Sequence, residues 1–452
     1  MLATYLLFFL RILLVFLAVR FCVGHNSIKP SELGGPNNGG IPPECSSKNM
    51  TAPVVLTLKE NFRMNKKIIS LAVAGALAAP MMVSAQGTNV TMFGSVQAEY
   101  ATVDYQGLSS QAHIGDDTGR SRWGARVTEN LGGGLQAKAH VEYGFSTGGN
   151  NIGTARERWV ALANDGWGEV KFGRVQSPFK DFAGGMTIDP FAYTTLQASG
   201  SGGTMTASAN GLGSGAQGFV NSAARYDSPK VEGFSFSGII MPGDTPRYDP
   251  VFSSSQNSGG EDGEWDFQVA GKYEAQMQGH NLGVFGGYSR DNISTAQKTV
   301  GVLNSEEVWR GGASWSFQNF KLNGQYENIN NAVGAATCTN AAMLGNPDSG
   351  NADSRSQCNS AMHLNGDGQL WFAGGQYDMG NTSFIAQGGM SEAKSVNGVA
   401  AKREVSSFTV GAIHNLSKRS SLFGGYQRAM VDDKNAIFRD SDTYTVGMRH
   451  NF

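Results

Sequence analysis

The sequence predicts an all-β protein, a 16-stranded antiparallel β-barrel that crosses a membrane, and three observations support that prediction. From residue 89 onward apolar residues recur at every second position, the period of a strand with one greasy and one wet face. The alternating segments run to about ten residues, the length of a tilted membrane-crossing strand, and are joined by short turns and long polar loops in alternation. Between residue 86 and the C-terminus no run of about 20 apolar residues could cross as a helix. Hydrocarbon tolerates no unpaired backbone amides, so this region can span a membrane only as closed strands.

Residues 1–63 contain an apolar run from Leu2 to Val23, interrupted by Arg11 and Arg20. Residues 64–85, MNKKIISLAVAGALAAPMMVSA, have the three parts of a secretory signal. Lys66 and Lys67 form the basic start, Ile68 to Ala79 the apolar stretch, and Val83-Ser84-Ala85 the small-residue cleavage site. Such a signal normally opens a chain. The expectation is that Met64 is the true start, that 1–63 is a mis-assigned upstream extension, and that cleavage after Ala85 leaves 86–452 as the barrel.

A chain of 452 residues could hold two or three soluble domains or one large barrel, so length does not choose. Composition is more informative: 61 Gly, 16% charged residues and few long apolar runs suit strands and turns. The formal charge of -2 hides an asymmetry, because residues 1–85 hold 8 of the 35 Lys+Arg and 3 of the 37 Asp+Glu. The remaining 27 basic against 34 acidic groups argue against a nucleic-acid partner, which would want a basic surface.

The segment after Gly134 shows the strand pattern best. Leu135, Ala137, Ala139, Val141, Tyr143 and Phe145 share one face, while Gln136, Lys138, His140, Glu142 and Gly144 share the other. Turn residues mark short connections at 130–134, 164–168, 228–233, 276–281, 318–319, 379–382 and 415–419. Seven turns join fourteen strands, and one more at each end, near 89–103 and 441–452, makes sixteen. The remaining connections are long: about 104–119, 147–154, 175–218, 242–262, 291–305, 330–365, 392–403 and 429–440. Short turns at one rim and long loops at the other is the asymmetry of an outer-membrane barrel. The final strand alternates Tyr444, Val446, Met448, His450 and Phe452. By resemblance to outer-membrane proteins generally, terminal Phe452 is the signal read by the barrel-insertion machinery.

Several segments resemble the Gram-negative general porins, particularly their beta-proteobacterial branch, in matching order. They are MFGSVQAEY, SRWGARVTENLGGGLQAKAHVEYGF, RERWVALANDGWGEVKFGRVQSPF, NSAARYDSPKVEGFSFSG and the terminal YTVGMRHNF. The resemblance covers 64–452 and implies a homotrimer of barrels in outer-membrane lipid and lipopolysaccharide, passing small hydrophilic solutes. It also implies that the third long loop, 175–218, folds inward and sets acidic residues against a ladder of wall arginines.

On that reading Arg122 in SRWG, Arg156 in RERWVALA and Arg225 in NSAARYDSP match the three wall arginines. Alternation adds Arg126 to the face of Arg122, and Arg158 to that of Arg156 if the strand is regular. An arginine stays charged near neutral pH and belongs in a wet lumen, because on the lipid face near mid-bilayer it costs about 2 to 4 kcal/mol. Arg174 in FGRVQ points outward by strict alternation. The loop's acids are Asp181 and Asp189, the only two between 175 and 218. Asp189-Pro190-Phe191 resembles the family's acidic residue near a Pro-Phe pair, though the longer acidic pattern of the enterobacterial branch is missing. Few loop acids against several arginines predict a net-positive constriction with weak to moderate anion preference.

Cys338 and Cys358 both fall in the sixth long loop, where an oxidising exterior favours a disulfide between them. No zinc-ligand spacing, HExxH, GxSxG or GxxxxGK motif is present, so no metal, cofactor or enzymatic chemistry is implied. The alternatives are an outer-membrane barrel hydrolase, whose residues would have to cluster in space, and a substrate-specific channel or adhesin.

Overall fold

The structure, a computed structural model, describes residues 86–107, 109–116, 120–149, 152–198, 218–242, 265–292, 305–331, 367–396, 399–433 and 440–452. The signal segment 64–85, residues 1–63 and the cysteines Cys338 and Cys358 lie outside the described residues.

The strands are β1 (Gln86–Tyr105), β2 (Gln111–Gly115), β3 (Arg122–Gly132), β4 (Leu135–Phe145), β5 (Ile152–Asn164) and β6 (Gly168–Gln176). After the third loop come β7 (Phe219–Asp227), β8 (Phe234–Pro242), β9 (Trp265–Met277), β10 (His280–Asp291), β11 (Glu306–Phe317) and β12 (Phe320–Asn330). The last five are β13 (Gly368–Met379), β14 (Thr382–Val396), β15 (Val399–Asn415), β16 (Ser420–Asp433) and β17 (Ser441–Asn451). From β3 to β17 each strand pairs antiparallel with the next.

β1 closes the ring. One edge pairs with β17, from Ser95 opposite Asn451 to Tyr105 opposite Ser441. The other edge pairs with β3 below and β2 above, Ser95 opposite Arg122 and Glu99 opposite Gly115. β2 and β3 are therefore two halves of one wall strand, broken at 116–121, and the barrel has sixteen strands as expected. At the break, Asp116 accepts hydrogen bonds from the backbone amides of Arg120 and Ser121.

All seven short turns fall where the turn residues put them. At the first, Gly132, Gly133 and Gly134 all adopt positive φ, of 89°, 61° and 79°, which side-chain-bearing residues rarely adopt. Two long connections are shorter than expected. β1 and β2 extend into 104–119, and β14 and β15 leave only 397 and 398 between them. Above the membrane rim both faces of a hairpin are wet, so the alternation fades from the sequence while the backbone ladder continues.

The wall inverts the pattern of a soluble protein. Val160, Phe172, Trp309, Val446 and Met448 are exposed on the outside, whereas Gln97, Gln268, Thr409 and Gln427 are buried on the inner face. That is the arrangement for an apolar solvent outside and a polar interior.

Candidate functional site

The connection from β6 to β7 opens with Ser177 and a single turn of helix, α1 (Pro178–Asp181), followed by a 3-10 turn at Gly185–Thr187. Side chains from strands all around the ring hold its main chain. Gln268 on β9 accepts from Phe179 N, Gln325 on β12 accepts from Gly185 N, and Asn323 donates to the carbonyl of Ile188. Gln427 on β16 donates to Leu196 O, Gln97 on β1 to Tyr193 O, and Arg449 on β17 to Ala192 O. Residues 177–198 are thus bonded to inner-face side chains on opposite sides of the barrel.

Apolar contacts add to this seat. Phe179, Ala183 and Ala198 pack with Ala270, Val308, Ile329, Leu370 and Phe372, while Phe191 and Leu196 pack on Ile385. Wall glycines make the approach possible: a Cβ on Gly411 would stand 2.8 Å from the Phe191 ring, and one on Gly425 would stand 2.9 Å from Leu196. Arg310 on β11 pairs with Glu327 on β12 at 2.8 Å, both almost wholly buried. Its guanidinium lies 4.4 Å from the centre of the Phe179 ring and donates to the carbonyls of Phe179 and Ala183.

Against the far end of the segment sits a cluster of cations. The guanidiniums of Arg120, Arg122 and Arg156 lie 5.2, 5.4 and 5.7 Å from the centre of the Tyr193 ring. Arg156 donates to Glu142 at 2.5 Å and to the Tyr193 hydroxyl at 3.4 Å, and Arg122 reaches the same Glu142 at 3.8 Å. Lys180 places its ammonium 3.8 Å from the centre of the Phe219 ring, with Arg156 over the same ring at 4.9 Å. Enclosure and the neighbouring Arg156 and Arg122 lower the pKa of the Lys180 ammonium to about 8. Arg225 pairs with Asp181 at 2.8 Å and with Asp227 at 2.9 Å.

Of the residues expected from sequence, Arg122 and Arg156 come together, and Arg225 meets Asp181. Arg126 shares their inner face, over the Phe93 ring at 5.1 Å. Asp189, expected among the loop acids that face the wall arginines, bonds instead within its own segment and to β14. It is buried, and its carboxylate accepts from Phe191 N, Ala198 N and the Gln387 side chain, so it anchors the segment. Aspartate before Pro190 folds its oxygen back onto the amide two residues on, a local turn that the Asp-Pro-Phe triplet favours.

Arg158 is a correction. The register between β4 and β5 slips between Val141 and Tyr143, which puts a bulge beside Arg156 and ends the strict alternation. Arg158 then stands opposite Val141, on the exposed face shared with Val160, outside the lumen. Arg174 is its ladder partner and donates to Arg156 O and Asn221, in keeping with its outward parity.

Sequence reasoning missed Arg120, Lys180, Tyr193, Arg310 and Arg449. Parity could have found Arg449, which alternates with outward Met448 and His450; Arg120 and Tyr193 sit in irregular backbone with no such signal. One grouping could in principle hold a cation: donor atoms of His140, Glu142 and Glu157 lie within 4.8 Å of one another. Arg156 already occupies Glu142, while Trp159 and Gln176 donate to Glu157. Toward the short-turn rim a cavity of about 670 Å³ is lined mainly by polar residues, among them Lys230, Glu274, Gln276, Lys321, Asn323 and Gln376.

Comparison with known proteins agrees with this geometry. A family model described as Gram-negative porin matches residues 70–436. Outer membrane porin protein 32 of Delftia acidovorans is 26% identical over 406 residues, covering 85% of this chain and 93% of that protein. An outer membrane porin protein of Bordetella pertussis is 30% identical over 186 residues, 36% of this chain and 45% of that one. Among solved structures, the anion-selective porin from Comamonas acidovorans superposes with a TM-score of 0.57 at 20% identity, covering 81% of this chain and all of that one. The trimer form of an outer membrane protein of Vibrio cholerae does so with a TM-score of 0.51 at 12% identity, over 81% of this chain and all of that one.

Proposed function

From the premise that this chain belongs to the Gram-negative porin family, we propose how it works as a diffusion pore, with residues 177–198 as the constriction and the arginine cluster as its selective wall. The protein is an outer-membrane porin that passes small hydrophilic solutes. Family and relatives alike are channels, so its action is passage of solute through the barrel.

The preference for anions is the finer part of the proposal. The observation behind it is the convergence of Arg120, Arg122 and Arg156 on the ring of Tyr193. With Lys180 and Arg449 the described cluster has five cations, and Glu99, Asp116, Glu142 and Glu157 are its nearby carboxylates. A surplus this small supports a weak to moderate preference, acting as a local field on solutes that must pass within a few ångströms. A structural relative described as anion-selective is consistent with it. The assembly we propose is a homotrimer, as in the trimer form solved for one structural relative.

Reconstitution in a planar bilayer tests the reading. Stepwise ohmic conductance in groups of three, with a reversal potential of anionic sign in a potassium chloride gradient, is the expected result. Conductance with strong cation selectivity would overturn the selective-wall assignment, and absence of conductance would overturn the pore.

A further inference from the structure

We propose that Tyr193 sets the strength of the anion preference, by holding an ionisable phenol among the wall arginines so that loss of its proton cancels one positive charge in the constriction. This rests on the anion-preferring reading above and names the residue that tunes it.

The geometry is unusual for a tyrosine. Tyr193 adopts a positive φ of 63°, outside the range most side-chain-bearing residues occupy. That backbone is held from both sides: Tyr193 N donates to Gln197 at 2.7 Å, and Gln97 donates to Tyr193 O at 2.5 Å. Strain of this kind persists only where surrounding structure imposes it. Here it sets the ring among three guanidiniums, with its hydroxyl accepting from Arg156. The side chain is only partly buried, so it remains within reach of the lumen.

The charged groups around it come from several elements. β1 supplies Glu99, the 116–121 break supplies Asp116 and Arg120, and β3 supplies Arg122. β4 supplies His140 and Glu142, β5 supplies Arg156 and Glu157, the segment itself supplies Lys180, and β17 supplies Arg449. For the phenol, enclosure alone would raise its pKa. Lys180, Arg156 and Arg122 outweigh that and bring it down to about 7, from the usual value near 10. A phenolate adds negative charge, so anion preference is greatest at acidic pH and falls as pH rises through neutrality.

Reversal potentials of the full-length porin in a potassium chloride gradient, taken from about pH 5.5 to about pH 7.5, avoid most of the Lys180 titration. The wild type should lose anion preference by roughly fourfold, the Boltzmann effect of about three quarters of a unit charge roughly 4 Å away in water-like surroundings, the phenol being about that far ionised at the upper pH. Tyr193→Phe should hold its acidic-pH preference across that range. An equal fall in wild type and Tyr193→Phe overturns the role of Tyr193 while leaving the anion-preferring pore intact. A wild type without anion preference even at acidic pH overturns both. Should Tyr193→Phe fail to fold, tyrosinate absorbance of the wild type decides: one phenol ionising near neutrality supports the inference, and none below about pH 9, as for ordinary phenols, defeats it.

Discussion

The side-chain amide of Gln387 on β14 donates to Asp189 Oδ1 at 2.9 Å, across 198 residues of sequence. With the amides of Phe191 and Ala198 it encloses the Asp189 carboxylate, so this acid fastens residues 177–198 to the wall. Asp189→Asn replaces one acceptor oxygen with a donor and leaves a buried amide unmatched, at a cost of about 1 to 3 kcal/mol. The expected outcome in single-channel recording is a noisier and wider pore, with only a small change in reversal potential. A large shift toward anions at unchanged conductance would show that Asp189 acts instead as a lumen charge.

The wall arginines should govern selectivity. Arg122→Gln and Arg156→Gln should each lower the chloride-to-potassium permeability ratio. The effect should shrink in concentrated salt, where the screening length drops to about 3 Å at 1 M. Arg156→Gln should have the additional consequence of leaving Glu142, its 2.5 Å partner, only the longer contact with Arg122, and so of strengthening the pull of that carboxylate on cations. Reversal potentials at two ionic strengths measure both.

Arg310 and Glu327 should matter for stability more than for conduction. Removing one member of a buried pair leaves an uncompensated charge and costs about 3 to 5 kcal/mol. Arg310→Leu should therefore lower the midpoint of thermal unfolding, followed by circular dichroism in detergent. The double variant with Glu327→Leu should recover part of the loss. No recovery would mean that the bonds from Arg310 to the carbonyls of Phe179 and Ala183 account for most of its contribution.

Arg158 supplies the opposite expectation. Standing outside the barrel opposite Val141, it should leave reversal potential unchanged when replaced by Gln. A guanidinium on lipid near mid-bilayer costs about 2 to 4 kcal/mol, so the face around Arg158 and Arg174 should be covered by another subunit in the proposed trimer. Arg158→Glu should then reduce the fraction of trimer surviving mild detergent on a gel.

Much of the wall was legible because membrane and water impose the period of two on every strand, and tight turns need their glycines, as at Gly132–Gly134. The same regularity misplaced Arg158, since a one-residue bulge leaves no trace in local composition yet reverses the face of the residues beyond it. The break between β2 and β3 was hidden for a similar reason: Asp116 caps two amides by bonds that only the fold reveals. In the site, the wall arginines were readable by parity, whereas the surroundings of Tyr193 are assembled from several elements far apart in the sequence. Asp189 looked like a lumen acid because its decisive partner, Gln387, is remote in sequence.

The seat of residues 177–198 is unevenly divided between its two sides. Gln97, Gln268, Asn323, Gln325, Gln427, Arg310 and Arg449 contribute side chains from the wall, and what they grip is mostly the segment's own peptide groups. Peptide groups are common to every amino acid. A lineage, or an engineer, could thus exchange outward-looking residues of the segment while its path across the barrel stayed the same. The path of the segment would then be set separately from the residues it presents to solute, with the wall glutamines as the lock and the segment as an interchangeable insert.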